Sequence, residues 1–433
     1  MTTTADDRRW RTGRVKRALF AAATLVMALL VAAVAAEILA NAYLLARDRR
    51  YVSPRERLAT LDNTFIAGIT RAEHNCRYID TLYPHPYLAF VHHGNPPCGA
   101  PNVNNIGLFG PDYPSERPAD RFVVLVTGGS VAAQLMQAGP NGAQYLQSIL
   151  ERDFRSPTGR PFLLLNGGDG AWHQPQQLIL FLLYADAVHG VVTLDGFNEH
   201  YLVGSSVRFE YPANNFLDVN PLVTASYSEV VKRWVAGKLY ARAVSNPFLS
   251  RSQIAYLVLA RVDAYLKGQQ QIYTERERTN LNTMFALPKE WTTEHRIGWA
   301  DGQYRKYIRA MDAVAAKHDV VVAHFIQPAP AILKPLTDEE KRVVGDLGYR
   351  ALYERMTSDV LGLAREGTPI FSLLDLFSTN RDTLYADPVH LRQAADGSSK
   401  GYELMAQRIA ATLASAWHLQ PKTPTLRVAN DAR

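Results

Sequence analysis

Arg121-Phe122-Val123-Val124-Leu125-Val126-Thr127-Gly128-Gly129-Ser130 is the stretch whose reading decides the fold. Phe122 to Val126 is an unbroken apolar run, short and rich in β-branched residues, as expected of a strand buried on both faces. Thr127-Gly128-Gly129 removes side-chain bulk where the strand ends. Ser130 follows, and Val131 to Leu146 can continue as a helix. Such a turn lifts a hydroxyl out of a parallel sheet at the carboxyl ends of its strands, where open α/β sheets place their sites. The same serine also reads as the cap of a helix N-terminus.

Three further stretches share the pattern. Leu163-Leu164-Leu165-Asn166-Gly167-Gly168 is a second strand ending in glycine, and Val191-Val192-Thr193-Leu194-Asp195-Gly196-Phe197-Asn198-Glu199 is a third, ending in Gly-Phe-Asn-Glu. Far downstream comes Asp387-Pro388-Val389-His390. In order these read GGS, NGG, GFNE and DPVH, and the series resembles the four blocks of the SGNH (GDSL-type) hydrolases over roughly Arg121 to Leu419. The resemblance implies a flavodoxin-like three-layer α/β sandwich around a parallel sheet of about five strands. It implies a catalytic triad of Ser130, His390 and Asp387. It also implies an oxyanion hole from the Ser130 and Gly168 backbone N–H groups and the Asn198 amide. Phe197, Trp172 and His173 are candidates for the pocket wall. Two positions depart from the family pattern: Gly129 stands where GDS has aspartate, and Glu199 where GxND has aspartate.

The chemistry needs these residue types. A serine hydroxyl is a weak nucleophile without a base in reach. A neutral imidazole serves if its other nitrogen is held as the donor by a carboxylate, and a three-residue separation lets one loop deliver both groups. Attack on an ester carbonyl builds negative charge that preorganised donors stabilise.

The remaining elements extend the same architecture. Gln134 to Phe154 fits a first crossover helix and Gln174 to Val188 a second. Val320 to Ile326 reads as strand four, Asp338 to Arg365 as helical, Pro369 to Leu376 as strand five and Gly401 to Trp417 as the closing helix. Alternating strands and helices mean parallel pairing by right-handed crossovers. Residues 201–300 interrupt the alternation as a helical insertion, with Val230 to Ala243 and Ser252 to Gln269 helical and Gln270 to Asn282 polar. Its aromatic residues, among them Phe209, Tyr211, Phe216, Trp234 and Tyr240, read as packing within the insertion or as stacking platforms for sugar rings.

At the N-terminus, Ala18 to Ala36 is nineteen residues interrupted only by Thr24. As a helix it is about 28 Å long, close to the thickness of a bilayer's hydrocarbon core. Six Lys/Arg precede it, which orients the N-terminus to the cytoplasm. The expected organisation is a basic tail (1–17), a signal-anchor helix (18–40), a connecting segment (41–118), an SGNH-like domain (119–419) and a disordered tail (420–433). A cleaved signal peptide, with Ala33-Val34-Ala35 as its site, is the alternative. The anchor reading places the protein in the bacterial inner membrane with its catalytic domain on the periplasmic side.

Charge narrows the partners. Residues 1–17 hold six Lys/Arg and two Asp, and the remaining 416 residues hold 41 Lys/Arg against 39 Asp/Glu, so the domain lacks a nucleic-acid footprint. There is no P-loop or dinucleotide fingerprint, and neither cofactor nor metal is expected. His92-His93 reads as a surface loop, since adjacent side chains diverge on strand or helix. Cys76 and Cys98 close one disulfide in an oxidising compartment or remain two thiols. The stretch Asn105-Ile106-Gly107-Leu108-Phe109-Gly110 is similar to the Asn-x-Gly-Phe-Arg-Gly approach segment of bacterial SGNH proteins, with Phe109 in place of the arginine. The resemblance implies an O-acylated carbohydrate substrate and partners in exopolysaccharide biosynthesis. Esterase, O-acetyltransferase and non-catalytic assembly roles all remain open on the sequence.

Overall fold

The computed structural model describes residues 4–59, 81–95, 99–212, 231–232, 235–236, 239, 242–243 and 245–422. The chain divides into two compact units, one of 1–75 with 225–276 and one of 76–224 with 277–433. Cys76 and Cys98, and with them the disulfide question, lie outside the described residues, as do Phe216, Trp234 and Tyr240.

The first unit contains helices α1 (Thr4–Asp48) and α2 (Pro54–Ala59) and the start of the long helix Gln253–Met284. The apolar part of α1 is exposed along its length, and it is long and apolar enough to cross a membrane or to serve as a signal sequence. Beyond that part, Ala40 and Leu44 turn inward with Leu58 and Leu259. Arg57 pairs with Asp48 and lies over the ring of Tyr256, 5.5 Å from its centroid.

The second unit opens with a hairpin, β1 (Leu82–His85) and β2 (Ala89–His92). Its central sheet is built from β3 (Phe122–Gly128), β4 (Phe162–Gly168), β5 (Gly190–Asp195), β6 (Val321–Ile326) and β7 (Ile370–Ser372). They pair in parallel in the order β4-β3-β5-β6-β7, the doubly wound arrangement whose switch point lies between β3 and β5. The resemblance anticipates this architecture of a five-stranded parallel sheet between helical layers. Alternate residues of β3 serve the two faces. Phe122, Val124 and Val126 join one core with helices α3 (Ser130–Leu135) and α4 (Tyr145–Asp153). Val123 and Leu125 join the other with α5 (Gln176–Tyr184). The one-turn helix α6 (Phe197–His200) follows β5, and α7 (Thr293–Lys317) covers the second face. Helices α8 (Asp338–Val343) and α9 (Arg350–Leu361) precede β7, and the closing helix α10 (Lys400–Ala416) packs on the first face.

Several boundaries differ from expectation. The first crossover is two helices, because Gly139-Pro140-Asn141-Gly142 breaks it. Gly139 and Asn141 instead donate to the carbonyls of Gly397 and Asp396, fastening the break to the loop before α10. The stretch expected as one helix over Asp338 to Arg365 is split around Gly345 and Gly348, and β7 is shorter than Pro369 to Leu376. Helix Gln253–Met284 continues through the polar run Gln270 to Asn282. Residues before 119 and after 419 also take part in this unit: Leu88, Phe90, Leu108 and Tyr113 are buried in the second core, and Gln420 and Pro421 pair with Phe154 and Arg155.

Candidate active site

The four blocks converge at the carboxyl ends of the strands. Ser130 Oγ–H donates to His390 Nε2 at 2.7 Å, and His390 Nδ1–H donates to Asp387 Oδ2, also at 2.7 Å. Asp387 Oδ1 accepts the backbone N–H groups of Val389 (2.9 Å) and His390 (2.8 Å). Burial pushes the Asp387 carboxyl up, but those two N–H groups and the imidazole outweigh it, leaving the group below the usual aspartate range. The carboxylate is thus ionised and fixed in place to hold the imidazole in the tautomer a general base needs. The site is open: the His390 side chain is 25% exposed and that of Asp387 44%.

What aims this loop leaves no local signal in the sequence. Its ends are clamped by mutual backbone bonds, Ala386 N–H to His390 O and Arg392 N–H to Leu384 O. Beneath it lies a buried ion pair, Lys334 Nζ to Glu340 Oε2 at 3.2 Å, with side chains 1% and 0% exposed. Glu340 Oε1 accepts the N–H groups of Leu384 and Tyr385, and Oε2 accepts that of Thr337. Lys334 Nζ donates to the carbonyls of Pro335, Asn380 and Asp382. Burial raises the Glu340 carboxyl, but its backbone donors and Lys334 bring it below the usual range. Two residues therefore satisfy six backbone groups around the loop that presents the base.

The third block turns at Gly196, whose φ of +118° suits glycine, and where a Cβ would lie 2.8 Å from Tyr353 Oη. Glu199 holds the turn. Its Oε2 accepts the Gly196 N–H at 2.8 Å and its Oε1 that of Gln174 at 3.2 Å, tying the third block to the loop that follows the second. Burial raises Glu199 and, more strongly, its neighbour Asp195, which the Glu199 charge raises further. Asn198 Nδ2 donates one N–H to Trp172 O at 2.7 Å, leaving the amide's second N–H. This placement accounts for the first departure from the family pattern. A Cβ at Gly129 would lie 2.1 Å from Asn198 Nδ2 and 3.1 Å from Trp172 O, so no aspartate fits there without moving Asn198.

Gly168 is not placed as expected. Its N–H donates to Asn166 Oδ1 at 3.0 Å, and a Cβ there would lie 2.7 Å from Ala133 N, so this glycine serves strand–helix packing. Downstream, Asp169 N–H donates to Gly128 O, Gly170 N–H to Asp169 Oδ1 and Trp172 N–H to Asp169 O. Ala171, between them, is a non-glycine residue at φ +59°, and its N–H is the one in this loop that no hydrogen bond within the described residues takes up. The expected pocket residues are core. Trp172 is fully buried against Phe90, and His173 is buried, with Nδ1–H donating to Gln174 O and its ring edge-on to Phe209. Phe197 is buried among His200, Tyr349 and Tyr353. Phe209 itself stacks on Tyr304 and Tyr307.

His92 also departs from expectation. It is buried on β2 rather than in a surface loop. It contacts Thr81 Oγ1 through Nδ1 (2.7 Å) and Asp169 Oδ1 through Nε2 (3.2 Å), and its ring lies tilted against Phe109 at 4.3 Å between centroids. The hairpin thereby braces the loop that follows Gly168.

No family model matches the sequence, and no curated protein does. Among solved structures, a proposed acylhydrolase from Bacteroides fragilis is 11% identical, covering 71% of this chain and 92% of its own, with a TM-score of 0.33. A GDSL-like lipase from Bacteroides thetaiotaomicron is 9% identical, covering 68% and 89%, with a TM-score of 0.30. The sheet order is that of a doubly wound parallel α/β sheet, and Ser130, Asn198 and the Asp387–His390 pair meet at the carboxyl ends of its strands.

Proposed function

We propose that the protein is a membrane-anchored serine esterase of the SGNH type. Its substrate is an O-acyl, in particular O-acetyl, group on a cell-envelope or exported polysaccharide. The observation that carries the reading is the continuous chain Ser130–His390–Asp387, each link 2.7 Å long. His390 Nε2 takes the Ser130 proton as Oγ attacks the ester carbonyl carbon. The Ser130 N–H and the free N–H of Asn198 receive the charge developing on the carbonyl oxygen. His390 then protonates the departing sugar oxygen, leaving an acyl-Ser130. Water, deprotonated by the same imidazole, releases the acid and restores the enzyme.

The test is labelling of the full-length protein by a fluorophosphonate probe beside Ser130→Ala, followed by assay on an O-acetylated polysaccharide. Labelling confined to wild type, with free acetate released, is expected. Labelling with acetate moved onto an added glycan hydroxyl would make the enzyme an acetyltransferase. Absence of labelling in folded protein would make the domain a polysaccharide-binding or assembly component.

A further inference from the structure

Residues 230–262 contain six Lys/Arg and no Asp or Glu, while the other 400 residues of the chain hold 41 of each sign. The whole formal excess of positive charge thus equals that of this one segment. Its described residues expose apolar side chains beside basic ones: Val231, Val235 and Leu239, at helical i, i+4, i+8 spacing, are 50%, 42% and 66% exposed, Phe248 is 82% exposed, and Arg242, Arg251 and Arg261 are exposed too. Phe248 is held outward by a turn in which Asn246 Oδ1 accepts the N–H groups of Phe248 and Leu249.

The structure also fixes where this segment sits along α1. Glu37, one residue beyond the apolar run Ala18 to Ala36, caps the helix that begins at Gln253. It accepts the Gln253 N–H at 2.6 Å, the Ile254 N–H at 3.3 Å and the Ser252 hydroxyl at 2.7 Å. The turn carrying Phe248 and Leu249 immediately precedes that cap. It therefore lies beside the C-terminal end of the apolar run of α1.

We infer that the described residues of this segment form a second, interfacial membrane contact, with Phe248, Val231, Val235 and Leu239 among the lipid headgroups and Arg242, Arg251 and Arg261 on anionic lipid. Exposed apolar groups beside a cationic, acid-free sequence are what such a surface recognises. The inference rests on α1 spanning the bilayer.

The test uses the full chain in proteoliposomes, with a photoreactive benzophenone side chain in place of Phe248, of Leu29 within α1, or of Tyr83 on the exposed hairpin. Lipid adducts at 29 and 248, but not at 83, are expected. The 248 yield is expected to rise at least threefold when phosphatidylglycerol replaces phosphatidylcholine, and to lose that dependence in Arg251→Glu/Arg261→Glu. Adducts at 29 without any at 248 would overturn the interfacial contact and leave the anchor intact. Absence at 29 would overturn the anchor as well. A protein–protein adduct at 248 would give this face to a second copy of the chain, and a yield indifferent to lipid charge would remove the anionic-lipid assignment.

Discussion

Replacing Lys334 by methionine is the most informative perturbation of the site that leaves the triad untouched. It removes the cation facing a fully buried Glu340 and leaves the carbonyls of Pro335, Asn380 and Asp382 without their donor. Breaking a buried ion pair from one side costs about 3–5 kcal/mol, a large share of a stability of about 5–15 kcal/mol. At roughly 2–4 °C per kcal/mol for a domain of this order of size, Tm is expected to fall by about 10 °C. The second half of the experiment distinguishes this pair from an ordinary one. Buried pairs are often replaced by apolar residues without loss. Here Lys334→Met/Glu340→Leu would instead strand six backbone groups, each costing about 1–3 kcal/mol if left buried and unpaired. The double variant is therefore expected to be no more stable than Lys334→Met, and both are expected to label slowly with fluorophosphonate because the His390 loop is no longer held. Thermal unfolding beside labelling rates gives both readouts. A double variant that regains wild-type Tm and labelling rate would refute the reasoning.

Three other outcomes follow from the same geometry. Gly129→Ala places a methyl group 2.1 Å from Asn198 Nδ2 and is expected to cut acyl transfer by about 10²-fold, the scale of losing one oxyanion donor, with Tm nearly unchanged; an unaltered kcat would dissociate Asn198 from catalysis. Glu340 and Asp387 are both held below their ordinary values, so their stabilisation is complete above the unfolded carboxylate range, about pH 4–5, and is lost as pH falls through the lower folded values. Glu340→Gln is expected to flatten that acid limb of a Tm-versus-pH profile, and an unchanged acid limb would rule Glu340 out as its source. Asp195 is raised, so its contribution is lost as pH rises through its folded value. Asp195→Asn is expected to raise Tm at pH 8 relative to pH 5, and an identical pH slope in the two proteins would count against a buried proton there.

The strands were legible because burial on two faces leaves a strong trace: Phe122 to Val126 has no polar interruption, and neither has Val191 to Val192. Ser130, Asp387, His390 and Asn198 could be located because each follows such a run or sits in a short characteristic spacing. What was hidden depends on contacts distant in sequence. Asp338, Glu339 and Glu340 look alike as a run of acids at a helix start, yet only Glu340 is turned inward. Residue type alone does not show what Gly168 is for, because glycine at 168 answers to the backbone of Ala133 on the helix packed against its strand. His92 was hidden by His93: a pair of histidines carries no alternating signal, and only the hairpin's docking shows which one is interior.

The nucleophile and its base are 260 residues apart in the chain, and α10, which follows the base, packs on the helices that follow the nucleophile. During synthesis Ser130 is therefore made long before anything exists to take its proton. A nascent chain ending before residue 390 carries the hydroxyl, the glycine turn and Asn198, yet has no general base. The Ser130–His390 contact thus forms only once the loop that follows β7 has been made.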